Sequence, residues 1–342
     1  MKAKEQLFEI DLESKTPKYI QIINSIADAI KRGKLKKGDK IFSINELSNE
    51  FLLSRDTVQK AYDILEKDGI ISPVKGKGFY INRTDIVTPY RILLLFNKIS
   101  NYKKQIYNSF VETMGSNAAV DLKIHHSNIK LFESLLAENL NDYDYYVIMP
   151  HFYENVAEAY ALIESIPAEK LLILDKDLSY VNKNYAAVYQ DFKKDIVEAL
   201  ESGLDALKKY NKLHLVHPKI VPYPAEIITG FRIFCMQNNF PYHITHEFKT
   251  GDEINSGEAY IVIEETDLVN LIKTCRTKKL KVGKDIGIIS YNETPLKEIL
   301  LDGISVISTD HAKMGETAAK LILENRKEKI KNPFTLILRK SL

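Results

Sequence analysis

Ser54, Arg55, Asp56, Thr57, Gln59 and Lys60 stand within seven consecutive positions, and each offers a hydrogen-bonding group. A guanidinium can engage a guanine edge in bidentate fashion, a carboxamide can pair with adenine, and hydroxyls can hold phosphate oxygens. Asp56 would favour a cytosine amino group or form a structural pair with a neighbouring cation. A second cluster, Lys75-Gly76-Lys77, places two ammonium groups around a glycine turn, between the apolar runs Ile70-Ile71 and Phe79-Tyr80-Ile81. This chemistry suits a surface that grips a polyanion and reads the edges of its bases.

The elements that must position these groups follow from spacing. The helical pattern after Pro17 sets Ile20, Ile23, Ile26, Ala27 and Ile30 on one face and ends at Gly33, with the proline in the first helical turn. Ser43 is the expected N-cap of a short second helix, with Glu46 as its capping-box partner. Ser54 repeats the device for a third helix, in which Val58, Ala61, Tyr62 and Leu65 recur at helical spacing and Gly69 is the stop. Two short helices joined by a tight turn, followed by a basic hairpin, form a winged helix-turn-helix. The residues just inside its second helix face the major groove.

The succession P-x-Y-x-Q-I, G-x-L-x-x-G-D-x-I-x-S, S-R-x-T-V, L-E-x-D-G and G-x-G over residues 16–81 resembles the GntR family of bacterial regulators. Carried over, the resemblance implies DNA contacts at Ser43, Asn45, Arg55, Asp56, Thr57, Gln59 and Lys75-Gly76-Lys77, beside the Ser54 hydroxyl that chemistry alone nominates. Three positions depart from the family pattern, which commonly has Arg at Asn45, Thr or Ser at Asp56, and Arg at Gln59. The preferred operator therefore does not transfer from relatives.

Charge agrees with this division. Residues 1–83 hold 16 Lys and Arg against 12 Asp and Glu, and the remaining residues hold 32 against 34, so the basic surplus sits in the head. At 342 residues and 45% hydrophobic, the chain has length for about two domains. Expected boundaries are a DNA-binding domain at 1–81, a linker at 82–90 and an effector-binding and dimerisation domain at 91–342. No signal peptide or membrane-length apolar run is visible, and Cys235 and Cys275 set no disulfide framework. The default expectation is a reduced, cytoplasmic protein without cofactor, metal or membrane partner.

From Arg91 onward, apolar runs such as RILLLF, YYVIMP, KLLILD, LHLVHP, AYIVIE and DIGIISY alternate with helical patterns, among them a long one from Asp191 to Tyr210. This alternation predicts an α/β fold with a doubly wound parallel sheet. Ligands of such sheets bind beyond the carboxyl ends of strands, which nominates Asn97, His151, Asp175, Glu264, Glu265 and Asn292. LKVGKDIGIISYNETP and SVISTDHAKMGETAAKLIL resemble the effector domain of LacI-type repressors, which has the two-lobed fold of periplasmic sugar-binding proteins. A GntR-type reader joined to such a sensor is the arrangement of arabinose-repressor-like regulators. That resemblance implies a homodimer on double-stranded operator DNA, usually a repressor, with a sugar effector closing the lobes and changing the spacing of paired heads about 34 Å apart.

The family's sugar-contacting Asp falls on Asp175, its Asn-Asp pair on Glu264-Glu265 and its later Asp on Asn292, while its usual Arg appears as Ile227. Losing that rigid donor fork leaves the sugar open, and the two glutamates would suit an amino sugar. The pairs His214/His217 and His243/His246 invite a metal, but alternation along a strand splits H-x-x-H across the sheet. No nucleophile elbow, phosphate loop or dinucleotide motif follows a strand, so no catalytic machinery is visible. The alternatives are a regulator sensing a non-sugar molecule, or an enzyme fused to a DNA-binding head.

Overall fold

The described residues of the computed structural model are 8, 10–11, 16–85, 89–140, 142–178, 184–219 and 223–342; residues 86–88 of the expected linker lie outside them. The chain divides into two compact units: Met1–Arg91 with Ser116–Ala119 and Asn139–Asp144, and the remainder.

The first unit contains α1 (Lys18–Lys31), α2 (Ile44–Glu50), α3 (Arg55–Lys67), β1 (Ile71–Val74) and β2 (Gly78–Ile81). Pro17 stands one residue outside α1 as its N-cap, because its ψ of 136° is extended; its carbonyl accepts from the Ile20 and Gln21 amides. The buried face is also rotated from the expected one. Ile22, Ile26, Ala27, Ala29 and Ile30 are buried, whereas Ile20 and Ile23 are only half-buried. A polar residue permits the rotation: Gln21 is buried, yet its amide donates to the Asp11 and Thr16 carbonyls and its oxygen accepts from the Asp11 amide. Around this face Leu47, Val58, Tyr62, Leu65 and Ile81 complete the core, and the Tyr62 hydroxyl donates to the Phe42 carbonyl at 2.7 Å. Burying an apolar side chain of this size stabilises by roughly 1.5–3 kcal/mol, so these five supply most of what a small head needs.

The second unit has two lobes, each built on a six-stranded sheet. The elements are β3 (Tyr90–Phe96), α4 (Asn101–Met114), β4 (Ala118–Ile124), α5 (Ile129–Asn139), β5 (Tyr145–Ile148), α6 (Val156–Ser165), β6 (Leu171–Lys176) and β7 (Ala186–Gln190). There follow α7 (Phe192–Ser202), α8 (Leu204–Leu207), β8 (Lys212–Val216), α9 (Glu226–Gln237), β9 (Tyr242–Thr245), β10 (Glu258–Val262), α10 (Glu265–Thr277) and β11 (Ile286–Tyr291). The chain closes with α11 (Pro295–Ile299), β12 (Ser305–Thr309), α12 (His311–Leu323), β13 (Lys329–Lys331) and β14 (Phe334–Ile337). One sheet runs β13-β7-β6-β5-β3-β4 and the other β14-β12-β11-β10-β8-β9. The central runs are buried on both faces, as parallel sheets covered by helices require; β11 is buried at all six positions.

Two expectations are corrected here. The long helix from Asp191 to Tyr210 is two helices broken at Gly203, where a Cβ would fall 2.2 Å from Leu336 Cδ2 on β14. The sheets are also not wholly parallel: β14 runs antiparallel to β12.

The chain passes between the lobes after β7, after β12 and between β13 and β14, and these passages are tied together. Buried Asn332 donates from Nδ2 to Thr309 Oγ1 at 2.7 Å and to the Asp310 carbonyl at 2.8 Å, and its amide donates to the Tyr189 carbonyl. Helix α12 packs on α4 at close range. A Cβ on Gly315 would lie 2.2 Å from the Ile106 carbonyl oxygen.

Candidate functional site

In the first unit, the Ser54 hydroxyl caps α3, accepting from the Thr57 amide at 3.2 Å and meeting Thr57 Oγ1 at 2.7 Å. Ser43 and Glu46 form the capping box of α2, with reciprocal bonds of 3.3 and 2.7 Å. The caps fix the angle at which α3 leaves the turn and leave Asn45, Arg55, Asp56 and Gln59 exposed. Asp56 lies in the first turn of α3, where the amide dipoles favour its charge. Gln59 Nε2 donates to Asp63 Oδ1 at 2.7 Å, so this amide must leave an intrahelical bond before it reads a base. Lys60 is turned away: its ammonium sits 3.9 Å from the centroid of the Tyr19 ring on α1. Across the wing, Ile71 pairs with Ile81 and Val74 with Gly78, presenting exposed Lys75 and Lys77 at the tip. Gly76 and Gly78 take φ of +74° and +104°, values a β-carbon disfavours.

In the second unit, a cleft opens between the lobes at the carboxyl ends of the strands. Asn97, His151, Asp175 and Asn292 line it. Asp175 and Asn292 have φ of 74° and 62°, left-handed values that Asp and Asn tolerate better than other side chains. This twist at two strand ends turns both side chains out of the ladder.

Asp175 is the electrostatic centre. His151 Nε2 donates to its Oδ2 at 2.7 Å, and Gln190 Nε2 donates to its Oδ1. Burial alone would raise the carboxyl, but the hydrogen bond and field of His151, with Lys103 and Gln190, outweigh it and hold Asp175 well below the usual carboxylate range. Burial lowers His151, against the pull of Asp175. Lys103, fully buried on α4, donates to Asn97 Oδ1 and to Met149 Sδ; burial brings its ammonium down to about 8. His311, at the start of α12, is pushed by burial down to about 4 and is neutral at pH 7. Tyr102, Phe192, Tyr223 and Tyr291 supply aromatic walls.

Glu264 and Glu265 do not line the cavity. They begin α10, where Glu264 is the half-buried N-cap residue and Glu265 is exposed. Their counter-charge is Lys297, buried and lowered to about 8 by desolvation against Glu265, Glu293 and Glu264. Lys297 donates to the Tyr291 and Asn292 carbonyls at 2.9 and 2.8 Å, bracing the turn that carries Asn292. Glu264 still acts through space on Tyr223, a wall of the cleft, although neither glutamate lines it.

The sequence reading also overlooked Lys103, Gln190, His311 and the four aromatic rings. Gln190 ends the run AAVYQ and was open to the strand-end rule; Lys103 and His311 lie on helices, where that rule does not look. His125 and His214 are structural. His125 stacks on Phe152 with centroids 4.8 Å apart, and His214 stacks on Tyr260 at 4.3 Å. Among the described residues no group of three His, Cys, Asp or Glu side chains is placed to hold a metal ion.

Residues 18–81 match the model of bacterial regulatory proteins of the gntR family, and residues 208–342 match a periplasmic binding protein-like domain. The transcriptional repressor YtrA of Bacillus subtilis is 34% identical over 36% of this chain and 90% of its own. The chain belongs to the GntR family. The arabinose metabolism transcriptional repressor of Geobacillus stearothermophilus is 23% identical over 91% of this regulator and 92% of its own length. Among solved structures, the trehalose repressor of Escherichia coli superposes with a TM-score of 0.61 at 14% identity, over 73% of this chain and all of the other. A Lac repressor dimer bound to operator and an anti-inducer gives 0.61 at 15% identity, covering 74% and 94%. The protein is thus a GntR-family transcriptional regulator carrying a periplasmic-binding-protein-like effector domain. No helix among the described residues is long and apolar enough to cross a membrane.

Proposed function

We propose that this regulator is a homodimeric cytoplasmic repressor of carbohydrate-utilisation genes, not an enzyme, whose operator affinity changes when a sugar-like effector occupies the cleft between its lobes. The observation that carries the reading is the ionised, half-buried Asp175, held by His151 and Gln190 among Asn97, Asn292 and four aromatic rings. A half-buried carboxylate and two carboxamides accept and donate to vicinal hydroxyls, and aromatic faces cover the apolar side of a sugar ring. Names of relatives point the same way: a repressor of arabinose metabolism matches over 91% of the chain, and one of mannosyl-glycerate metabolism over 36%.

In the head, Arg55, Asp56 and Gln59 read base edges, Ser43, Asn45, Ser54 and Thr57 hold phosphates at the helix ends, and Lys75-Gly76-Lys77 grips the flanking backbone. The effector acts by preferring one arrangement of the lobes, and the operator by preferring one spacing of the two heads. Coupling follows if both preferences bear on the same equilibrium.

The test is a thermal-shift screen of the full chain against neutral, acidic and amino sugars, followed by operator titration with each stabilising compound. A true effector at ~100 times its dissociation constant adds about 2.7 kcal/mol and changes operator affinity. Stabilisation by non-carbohydrate metabolites alone, or stabilisation without any change in operator affinity, would sink the proposal.

A further inference from the structure

We infer that the effector carries an anionic group, a carboxylate or a phosphate, which Lys103 holds inside the cleft. The inference rests on the cleft being the effector site, and it narrows the effector from sugars in general to acidic ones.

The argument is a balance of buried charge. An ammonium has three N–H donors, and Lys103, only 4% exposed, spends two of them on the Asn97 amide oxygen and, at 3.3 Å, the Met149 sulfur. Both acceptors are neutral, and a thioether is a weak one. Asp175 acts on Lys103 through space, but no hydrogen bond or ion pair joins them, and its oxygens accept from His151 and Gln190 instead. A second cation, Lys98, lines the same cavity, 5.3 Å from the Tyr223 ring centroid. The positive charge of the cleft is therefore left without a bonded anion. A buried charge normally has a paired partner, since leaving it unmatched costs several kcal/mol.

Other lysines of the unit show what a purely structural role looks like. Lys331 meets the buried Asp195 carboxylate at 2.7 Å, and Lys297 satisfies two backbone carbonyls at a strand end. Lys103 has neither arrangement, and it lines the cleft. An incoming carboxylate or phosphate replaces the sulfur contact with a charge-assisted bond. The Asp175 cluster remains free to take hydroxyls.

The experiment uses the full chain and matched probes: glucose, glucuronate, gluconate, glucose 6-phosphate, the arabinose and arabinonate pair, and inorganic phosphate. Binding is followed by calorimetry on wild type, K103M and K103Q, the second variant serving if the first fails to fold. The expected result is an acidic member bound at least tenfold more tightly than its neutral parent, with that preference lost in both variants. A carboxylate hit and a phosphate hit identify which anion the site takes. Equal affinity for acid and parent, a preference that survives both substitutions, or no acidic binder at all overturns the anion inference; in the first two cases the carbohydrate reading stands. Binding of inorganic phosphate but of no sugar keeps the anion site and removes the carbohydrate reading.

Discussion

The head and the effector unit place their charges in opposite ways. Arg55, Lys75 and Lys77 stand in water at the ends of short, locally capped elements, whereas Lys103 lies buried and Asp175 half-buried among side chains drawn from several strands and helices. The difference matches what each must bind. A duplex brings a long row of phosphates to the surface, so solvated cations suffice and binding weakens steeply with salt. A small molecule must replace its own hydration shell, so its partners are preorganised, dry and insensitive to salt. Histidine follows the same division: all eight lie beyond residue 124, and the head has none.

The most severe way to break the comparison is at the α4–α12 contact. Gly315→Val places a β-carbon where 2.2 Å separates it from the Ile106 carbonyl oxygen, and the expected loss is about 3 kcal/mol. Urea unfolding followed by limited proteolysis should show the effector unit weakened and the head intact; simultaneous loss of both would mean that the head has no stability of its own. Next in size, Arg55→Ala should cost about 2 kcal/mol on the preferred operator and relax discrimination at one base pair. Equal loss on every sequence in a competition titration would remove Arg55 from base reading.

Acid should act on one unit alone. Burial holds His125 and His311 at about 4, below the ordinary 6.5. Between those values the unfolded chain takes up protons that the native one refuses, so stability falls as pH drops from 6.5 towards 4. Scanning calorimetry from pH 7.5 to 5 should lower the melting temperature of the effector unit and leave that of a head fragment nearly flat. Smallest is Lys75→Ala, which should weaken binding to specific and random DNA alike and reduce the slope of log affinity against log salt by about 1. An unchanged slope would put the wing tip off the backbone.

The head was legible because its determinants are local. Ser43 with Glu46, and Ser54 with Thr57, are capping pairs three residues apart, and the Lys-Gly-Lys tip is contiguous. Periodicity missed the rotation of α1, because neighbouring isoleucines fit either face until the buried Gln21 is seen to be satisfied, and it put Pro17 one residue too far into the helix. In the effector unit, strand ends pointed to Asn97, His151, Asp175 and Asn292, which do meet at one cavity. Glu264 and Glu265 obey the same rule and fall elsewhere, because Lys297 is their neighbour only in three dimensions. Lys103 and His311 come to the cavity through the packing of α4 on α12, a contact some 200 positions apart that no local pattern encodes.

The strand order of the first lobe bears on how the protein is made. Its edge strand β13 pairs Lys329 with Ala187 only after every strand of the second lobe except β14 has been synthesised. On the ribosome the head, with contacts close in sequence, can finish early, whereas both sheets of the effector unit wait for the last passage of the chain. A nascent regulator therefore carries a competent reading head before it carries a completed sensor. Arrest of translation before residue 329 should leave a chain whose head resists protease and whose first lobe does not.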